Sequence, residues 1–288
     1  MSIVSALSLR DSTSTDIALL SSARRVTAAD GLAGMPGPRQ VVRPLPQRHG
    51  AIDETAYMDG RTITIEGICT GSQTGVWTQY DALVAAFYDA IGTGRLLKWT
   101  RAGSSLALQA TVRFHDSMEA PLQVDNGLYQ LPYSATFFAE DPRAYAQTET
   151  TVTGDVLSSA AGGLTFSAPF PWRFTPSSGG SASVTHAGTV PAPATLRIYG
   201  ACSSPQVLLV STGERIVLTG SVAAGDYIEL DLQTRTVLLN GTTNRANLLD
   251  PASTDWFLIP KGSSTLRLVA ATFDASARLD VLHRSGWL

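Results

Sequence analysis

Strands dominate the pattern of apolar and polar positions along this chain. Arg61-Thr62-Ile63-Thr64-Ile65-Glu66 alternates polar and apolar, the period of a half-buried strand. Leu106, Leu108, Ala110, Val112 and Phe114 fall on one face of a second strand, and Tyr129, Leu131, Tyr133, Ala135 and Phe137 on one face of a third. Pro132 lies inside the third and predicts an edge or a bulge, because proline cannot donate to a ladder. One segment has the helical period instead. In Thr78–Ile91 the apolar positions Tyr80, Leu83, Val84, Phe87 and Ile91 recur at helix spacing, and this stripe is expected to pack on a sheet. Thr78 with Asp81 predicts a capping box, and Gly92 and Gly94 predict the stop.

The strand signal ends at Phe138, and a boundary is expected near Asp141-Pro142. A polar, Thr-rich segment runs from Gln147 to Gly154. Gly162-Gly163-Leu164-Thr165-Phe166 and a Pro-rich run, Ala168–Pro176, come next, and Ser177–Ser183 reads as a loop. Strands then resume at Thr195–Tyr199, Gln206–Val210, Arg215–Leu218, Tyr227–Leu232, Thr236–Leu239, Thr265–Ala271 and Ala277–His283. Asn240-Gly241 marks a tight turn, and Pro260-Lys261-Gly262 another before the strand at Thr265. Short strands punctuated this often predict a β-sandwich. The division expected is therefore residues 1–146 and 147–288, mainly β throughout, with one amphipathic helix in the first part.

With 288 residues, 44% hydrophobic and 16% charged, the chain can bury two ordinary cores. A net charge of -3 argues against nucleic-acid binding by bulk charge. The charge is uneven, however. Arg24, Arg25, Arg39, Arg43 and Arg48 occur with a single acid, Asp30, among them. Such a stretch is either a solvated basic loop or an arm that meets an acidic neighbour or faces a DNA channel. Only two of the 21 basic residues, Lys98 and Lys261, are lysine, a bias that reflects GC-rich codons rather than mechanism. Cys69 and Cys202 fall in different domains without metal spacing and read as buried, reduced thiols. No apolar run approaches ~18 residues, so no membrane helix is expected, and no secretory signal is visible.

The usual signatures of enzyme chemistry are missing. There is no phosphate-cradling glycine loop and no nucleophile elbow. His49, His115, His186 and His283 are dispersed and have no Cys partner at ligand spacing. Glu140 and Asp141 are adjacent and point to opposite sides of an extended chain, poor geometry for an acid–base pair. Glu229 and Asp231 share a strand face near Asp226, but the six or so oxygens of a calcium site are not in evidence. No catalytic residue, metal or cofactor is assigned, and the chain is not expected to be an enzyme.

Two blocks of short motifs carry a resemblance. The first holds Gln47-Arg48-His49-Gly50, Tyr57, Asp59-Gly60-Arg61 with the strand to Gly67, the helix, and Phe137-Phe138-Ala139-Glu140-Asp141-Pro142. The second holds Gly163-Leu164-Thr165-Phe166, His186-Ala187-Gly188, Ala192-Pro193-Ala194-Thr195-Leu196-Arg197-Ile198, Gly225-Asp226-Tyr227-Ile228-Glu229-Leu230-Asp231 and Leu239-Asn240-Gly241. In this order they resemble the siphophage distal tail proteins, with a departure at His186, where relatives often carry Asn. The resemblance implies an N-terminal ring-forming β domain with one amphipathic helix, followed by a galectin-like β-sandwich. It implies a homohexamer at the distal end of the phage tail, made in the bacterial host cytoplasm. Its partners would be the tail-tube protein, the tail hub or tail-associated lysin, and a receptor-binding protein or tail fibre. Phage DNA would pass through without sequence readout, and nothing would insert in a membrane. Arg24, Arg25, Arg39, Arg43 and Arg48 are then candidate ring or lumen contacts. A carbohydrate-binding module contacting the host surface is the alternative, with Trp172 and Trp256 as glycan contacts. The competing reading has Trp256 plugging the sandwich and Trp172 beneath the Pro-rich loop. A tail-tube protein is a third reading, and the second sandwich argues against it.

Overall fold

The computed structural model describes residues 4–118, 121, 123–125, 128–157 and 180–288. The chain forms two compact units, Met1–Gln147 with Trp287–Leu288, and Thr148–Gly286.

The first unit opens with β1 (Val4–Arg10), β2 (Asp16–Ala18) and β3 (Arg24–Asp30). Four short strands follow: β4 (Pro38–Arg39), β5 (Val42–Pro44), β6 (Ala51–Asp53) and β7 (Tyr57–Met58). Then come β8 (Arg61–Gly71), α1 (Gln73–Gly92), β9 (Arg95–Arg101) and β10 (Ala107–Phe114). β11 (Gln123–Asp125), β12 (Leu128–Ala139) and β13 (Ala144–Ala146) complete it. The main sheet runs β2-β1-β9-β10-β12-β8-β3, antiparallel between neighbours. Its buried face is drawn from alternate residues, Ile63, Ile65 and Cys69 on β8 and Leu131, Tyr133, Ala135 and Phe137 on β12. Gly67 lies directly opposite Tyr133, and a Cβ there would come within 2.6 Å of the tyrosine ring, so only glycine admits it.

β8 and β12 pair without a register shift from Tyr129↔Gly71 to Ala139↔Arg61, straight through Pro132. Thr136 offers its carbonyl to His115 on the side away from β8. Pro132, an even number of residues back, turns its missing N–H to that same side. There β11 pairs no further than Gln130 and β10 takes over at Phe137, so the proline sits at a local edge without a bulge.

The helix starts earlier than its sequence suggests. Ser72 is the N-cap, its hydroxyl accepting from the Gly75 N–H at 3.2 Å. Thr78 lies inside the first turns and returns its hydroxyl to the Thr74 carbonyl at 3.0 Å, so it caps nothing. The buried stripe is Val76, Leu83, Ala86, Phe87 and Ala90. Val84 and Ile91, expected on it, are exposed, because the two alanines bring the helix close to the sheet and define its inner face. Phe87 anchors the contact, stacked on Phe114 at 5.5 Å and edge-on to Phe137 at 5.3 Å. The segment before Arg48 is no appendage either, since Val4, Leu7, Leu9, Leu19, Ala29 and Leu32 are core residues.

The second unit is a β-sandwich. Its strands begin with β14 (Thr150–Thr153), β15 (Ser181–His186), β16 (Ala194–Tyr199) and β17 (Cys202–Ser203). β18 (Gln206–Leu209), β19 (Arg215–Val217), β20 (Ser221–Val222) and β21 (Tyr227–Asp231) come next. They end with β22 (Thr236–Leu239), β23 (Thr243–Asn244), β24 (Gly262–Val269), β25 (Thr272–Phe273) and β26 (Arg278–His283). One sheet runs β14-β26-β16-β21-β22-β23, a second β15-β24-β18-β19, and a short third β20-β17-β25. Leu196, Ile198, Leu230 and Val281 of the first share a core with Val184, Val207, Leu266 and Leu268 of the second. Asn240 and Gly241 both have positive φ, 50° and 70°, as the tight turn requires. Two segments read as polar spacer or loop are strands: Thr150–Thr153 pairs with β26, and Ser181–Ser183 belongs to β15. Their exposed positions are Ser and Thr, and few apolar residues mark them. No helix among the described residues is long and apolar enough to cross a membrane.

Candidate functional site

Between β3 and β8 the chain leaves the main sheet as an antiparallel ribbon. The Asp59 N–H donates to the Gly37 carbonyl at 3.2 Å, and Pro38 and Arg39 face Met58 and Tyr57. The Glu54 N–H donates to Val41, β5 pairs with β6, and the Leu45 N–H closes the tip on Gly50. Every residue of β5 and β6 is exposed. Val42 is 58% exposed and Tyr57 65%, and Val41 and Ile52 are similarly bare. Directly opposed residues share a ribbon face, so Ile52 stands with Arg43 on one side and Val42 with Asp53 on the other. A lone two-stranded ribbon is marginal in water, and this one exposes apolar side chains on both faces. Its strands carry Pro38 and Pro44, which limit indiscriminate pairing.

The root of the ribbon is held by Arg61, the first residue of β8, only 4% exposed. Its guanidinium donates to the carbonyls of Pro142 (2.9 Å), Gly31 (3.1 Å) and Gly34 (3.2 Å), and at 3.5 Å to Leu32. Backbone acceptors thus solvate a buried cation, and that burial pulls its pKa down. Gly31 has φ +80°, and a Cβ there would lie 2.1 Å from the Thr62 carbonyl oxygen.

A second apolar row lies on the outer face of α1. Trp77, Val84, Tyr88 and Ile91 recur seven, four and three residues apart, all exposed, with Tyr88 at 73%. Trp77 rests edge-on against Tyr80 at 5.9 Å. The helix carries two charges, Asp81 and Asp89, and no base. Asp89 is occupied by the Ser12 N–H at 2.9 Å, while Asp81 stands beside the row.

The five arginines divide between two elements. Arg24 and Arg25 lie on β3. Arg24 is turned to its own unit, donating to the carbonyls of Ala18 (2.6 Å) and Gln79 (3.2 Å). Arg25 is exposed. Arg39, Arg43 and Arg48 belong to the ribbon, where Arg43 meets Glu54 at 2.8 Å and Arg48 stands at the tip. Asp141, before the proline of the Asp-Pro motif, accepts from the Arg143 guanidinium at 2.9 Å and from the Tyr145 hydroxyl. Burial alone would raise its pKa, and these hydrogen bonds outweigh burial and hold it below the usual carboxylate range.

In the sandwich, Trp256 is partly buried against the core beside Phe257, and Trp172 lies outside the described residues. The rings on the outer face of the larger sheet are already covered. Arg278 lies 4.4 Å over Tyr199, and Arg197 lies 5.4 Å over Tyr227 while bonding Glu229 at 2.8 Å. The three carboxylates weighed for a cation are engaged separately: Asp226 with Asn240, Glu229 with Arg197, and Asp231 with the Gln233 and Thr234 amides. Among the described residues no three His, Cys, Asp or Glu side chains converge. Neither the ribbon nor the outer helix row was singled out by the sequence patterns above. Their available signals are Val41-Val42 set against Ala51-Ile52 around a Gly50 turn, and the seven-residue spacing of Trp77, Val84 and Ile91.

Residues 187–285, within the second unit, match the family "Siphovirus-type tail component, C-terminal domain". That unit is a siphovirus-type tail-component domain. The whole fold agrees. The crystal structure of SPP1 Dit (gp 19.1), described as a paradigm of hub adsorption apparatus in phages infecting Gram-positive bacteria, superposes with a TM-score of 0.67. That likeness covers 98% of this chain and 99% of SPP1 Dit at 13% identity. A chain of the phage P2 baseplate in its activated conformation with Ca gives a TM-score of 0.56 at 13% identity, over 97% of both chains. The same baseplate with Sr gives 0.54 at 12% identity, over 98% of this chain and 99% of that one. No curated protein sequence matches the chain. The second unit is thus that of a siphovirus-type tail component, and the chain as a whole shares the fold of these tail and baseplate proteins.

Proposed function

We propose that this chain is a siphophage distal tail protein and forms a closed homohexameric ring at the end of the tail tube. There it joins the tube to the hub or tail-associated lysin and carries receptor-binding proteins or fibres outward on its sandwiches. It acts by geometry and performs no chemistry. The observation that carries this reading is the ribbon between Gly37 and Asp59, whose apolar side chains Val41, Val42, Ile52 and Tyr57 are left exposed by the described residues. Head-to-tail contact that closes into a ring covers such a surface on every copy, leaving no open end to propagate. Arg25, Arg39 and Arg48 have no side-chain partner among the described residues and are free to meet acidic neighbours or passing DNA backbone.

Light scattering with negative-stain images of the same sample tests this. The expected result is a particle six times the 30.4 kDa chain, with a central hole. A protein that stays monomeric both alone and with its tube and hub partners would overturn it.

A further inference from the structure

The chain passes between its two units twice, at Gln147-Thr148 and at Gly286-Trp287. At the second passage the sandwich holds the departing chain in a clamp of its own residues. The Thr189 and Val190 N–H groups donate to the Gly286 carbonyl at 2.9 and 3.3 Å, and the Ala187 N–H donates to the Ser285 hydroxyl at 3.0 Å. Gly188 lies so close that a Cβ there would meet the Gly286 carbonyl oxygen at 2.0 Å. The Gly286 N–H points to Nε2 of His186 at 3.1 Å.

His186 ends β15 and is 2% exposed. Its Nδ1 faces the Gly188 N–H at 3.0 Å. A neutral imidazole accepts at one nitrogen and carries a proton on the other. The Gly286 contact is buried and the Gly188 contact is only partly so, and an unmet N–H costs more when buried. Nε2 is therefore the acceptor. Nothing nearby favours a second proton on the ring. β24 sets Gly262, Ser263 and Ser264 opposite His186, Thr185 and Val184, and the charge next to them is the cation Lys261. β26 brings His283, 4% exposed and near enough for the two rings to repel when charged. Arg284, just beyond β26, holds Glu149, just before β14, at 3.7 Å. No carboxylate among the described residues pairs with His186.

We propose that His186 is a proton-operated latch on the second passage. Acid protonates Nε2, which turns from acceptor to donor and opposes the Gly286 N–H. Residues 284–286 then leave the segment 187–190 while the two sheets stay packed. Burial holds the closed histidine below its ordinary pKa of 6.5, and the open one returns to that value. The open form therefore binds the extra proton, and opening is level above pH 6.5 and grows about tenfold per pH unit below it, until the closed ring itself titrates. The latch does not depend on the ring reading.

Hydrogen exchange of the full chain across pH 5–8, corrected for intrinsic rates, tests it. The amides of residues 187–190 and 286 are expected to exchange at least about tenfold faster than those of β16 and β21 at every pH, because they open locally. Below pH 6.5 they are expected to lose protection about tenfold per unit. His186→Gln, whose side-chain oxygen accepts from Gly286 without titrating, is expected to flatten that slope, and His283→Gln to leave it in place. Clamp amides that exchange only together with the core, or a flat slope in the parent, would overturn the latch. A slope that survives His186→Gln, or that His283→Gln abolishes, would do the same. Exchange at the imidazole C2 carbon of the unaltered protein reads the His186 titration without any variant, and a midpoint at or above 6.5 would also overturn it.

Discussion

Replacing Arg61 by methionine keeps the long apolar stem and deletes the guanidinium, which isolates what the cation does at the root of the ribbon. Three carbonyls, of Pro142, Gly31 and Gly34, lose a donor at 3.2 Å or less, and the Leu32 contact at 3.5 Å adds little. Hydrogen bonds to a charged group contribute about 1.5–3 kcal/mol each. Most of these contacts are only partly buried, so the lower figure applies and the gross loss is roughly 4.5 kcal/mol. Removing a buried cation also relieves its own desolvation, which leaves a net loss of about 3 kcal/mol. The chain has two units, so a single unfolding midpoint would blur the effect. Native-state hydrogen exchange reads it directly, at the amides of β8 and β12 for the first unit and at residues 31–34 for the ribbon root. Arg61→Lys is expected to lose most of the same stability, because an ammonium cannot reach carbonyls on several sides as the planar fork does. A methionine variant that loses less than about 1 kcal/mol, with exchange at residues 31–34 unchanged, would refute the reasoning. The carbonyls would then be satisfied by water.

Two further outcomes follow from the cores. Phe87→Ala removes the ring that stacks on Phe114 and meets Phe137, and is expected to cost about 3–5 kcal/mol in the first unit, with the exchange protection of α1 falling first while that of the second unit is unchanged. Acid should weaken the sandwich below the ordinary histidine pKa of 6.5. Burial depresses both His186 and His283, and Nδ1 and Nε2 of His186 face the Gly188 and Gly286 N–H groups, so the neutral ring accepts from one of them and protonation removes that acceptor as well. The unfolded chain therefore binds the extra protons, and stability should be level above that pH and fall as the pH drops below it. Urea unfolding of the second unit across pH 5–8 measures this, and a flat profile would count against it.

The alternation of small apolar and polar residues determined much of this protein by itself. It identified the long strands of both units, their inward faces, the Asn240-Gly241 turn and the order of motifs shared with distal tail proteins. Periodicity reports which side of an element is apolar, and for β8, β10 and β12 that side is the buried one. It does not report what covers an apolar side chain. On α1 the inner face went to Ala86 and Ala90, because close approach to the sheet favours small residues, and Trp77, Val84, Tyr88 and Ile91 were left outside. The ribbon escaped for the opposite reason. Both of its faces are bare, so no inside-outside alternation marks it, and its arginines read only as a basic stretch. That Arg24 turns inward, that Arg61 is buried among carbonyls, and that Thr150–Thr153 and Ser181–His186 are strands were decided by partners dozens of residues away in the chain. Local sequence has no access to those contacts, and the tertiary fold supplies them.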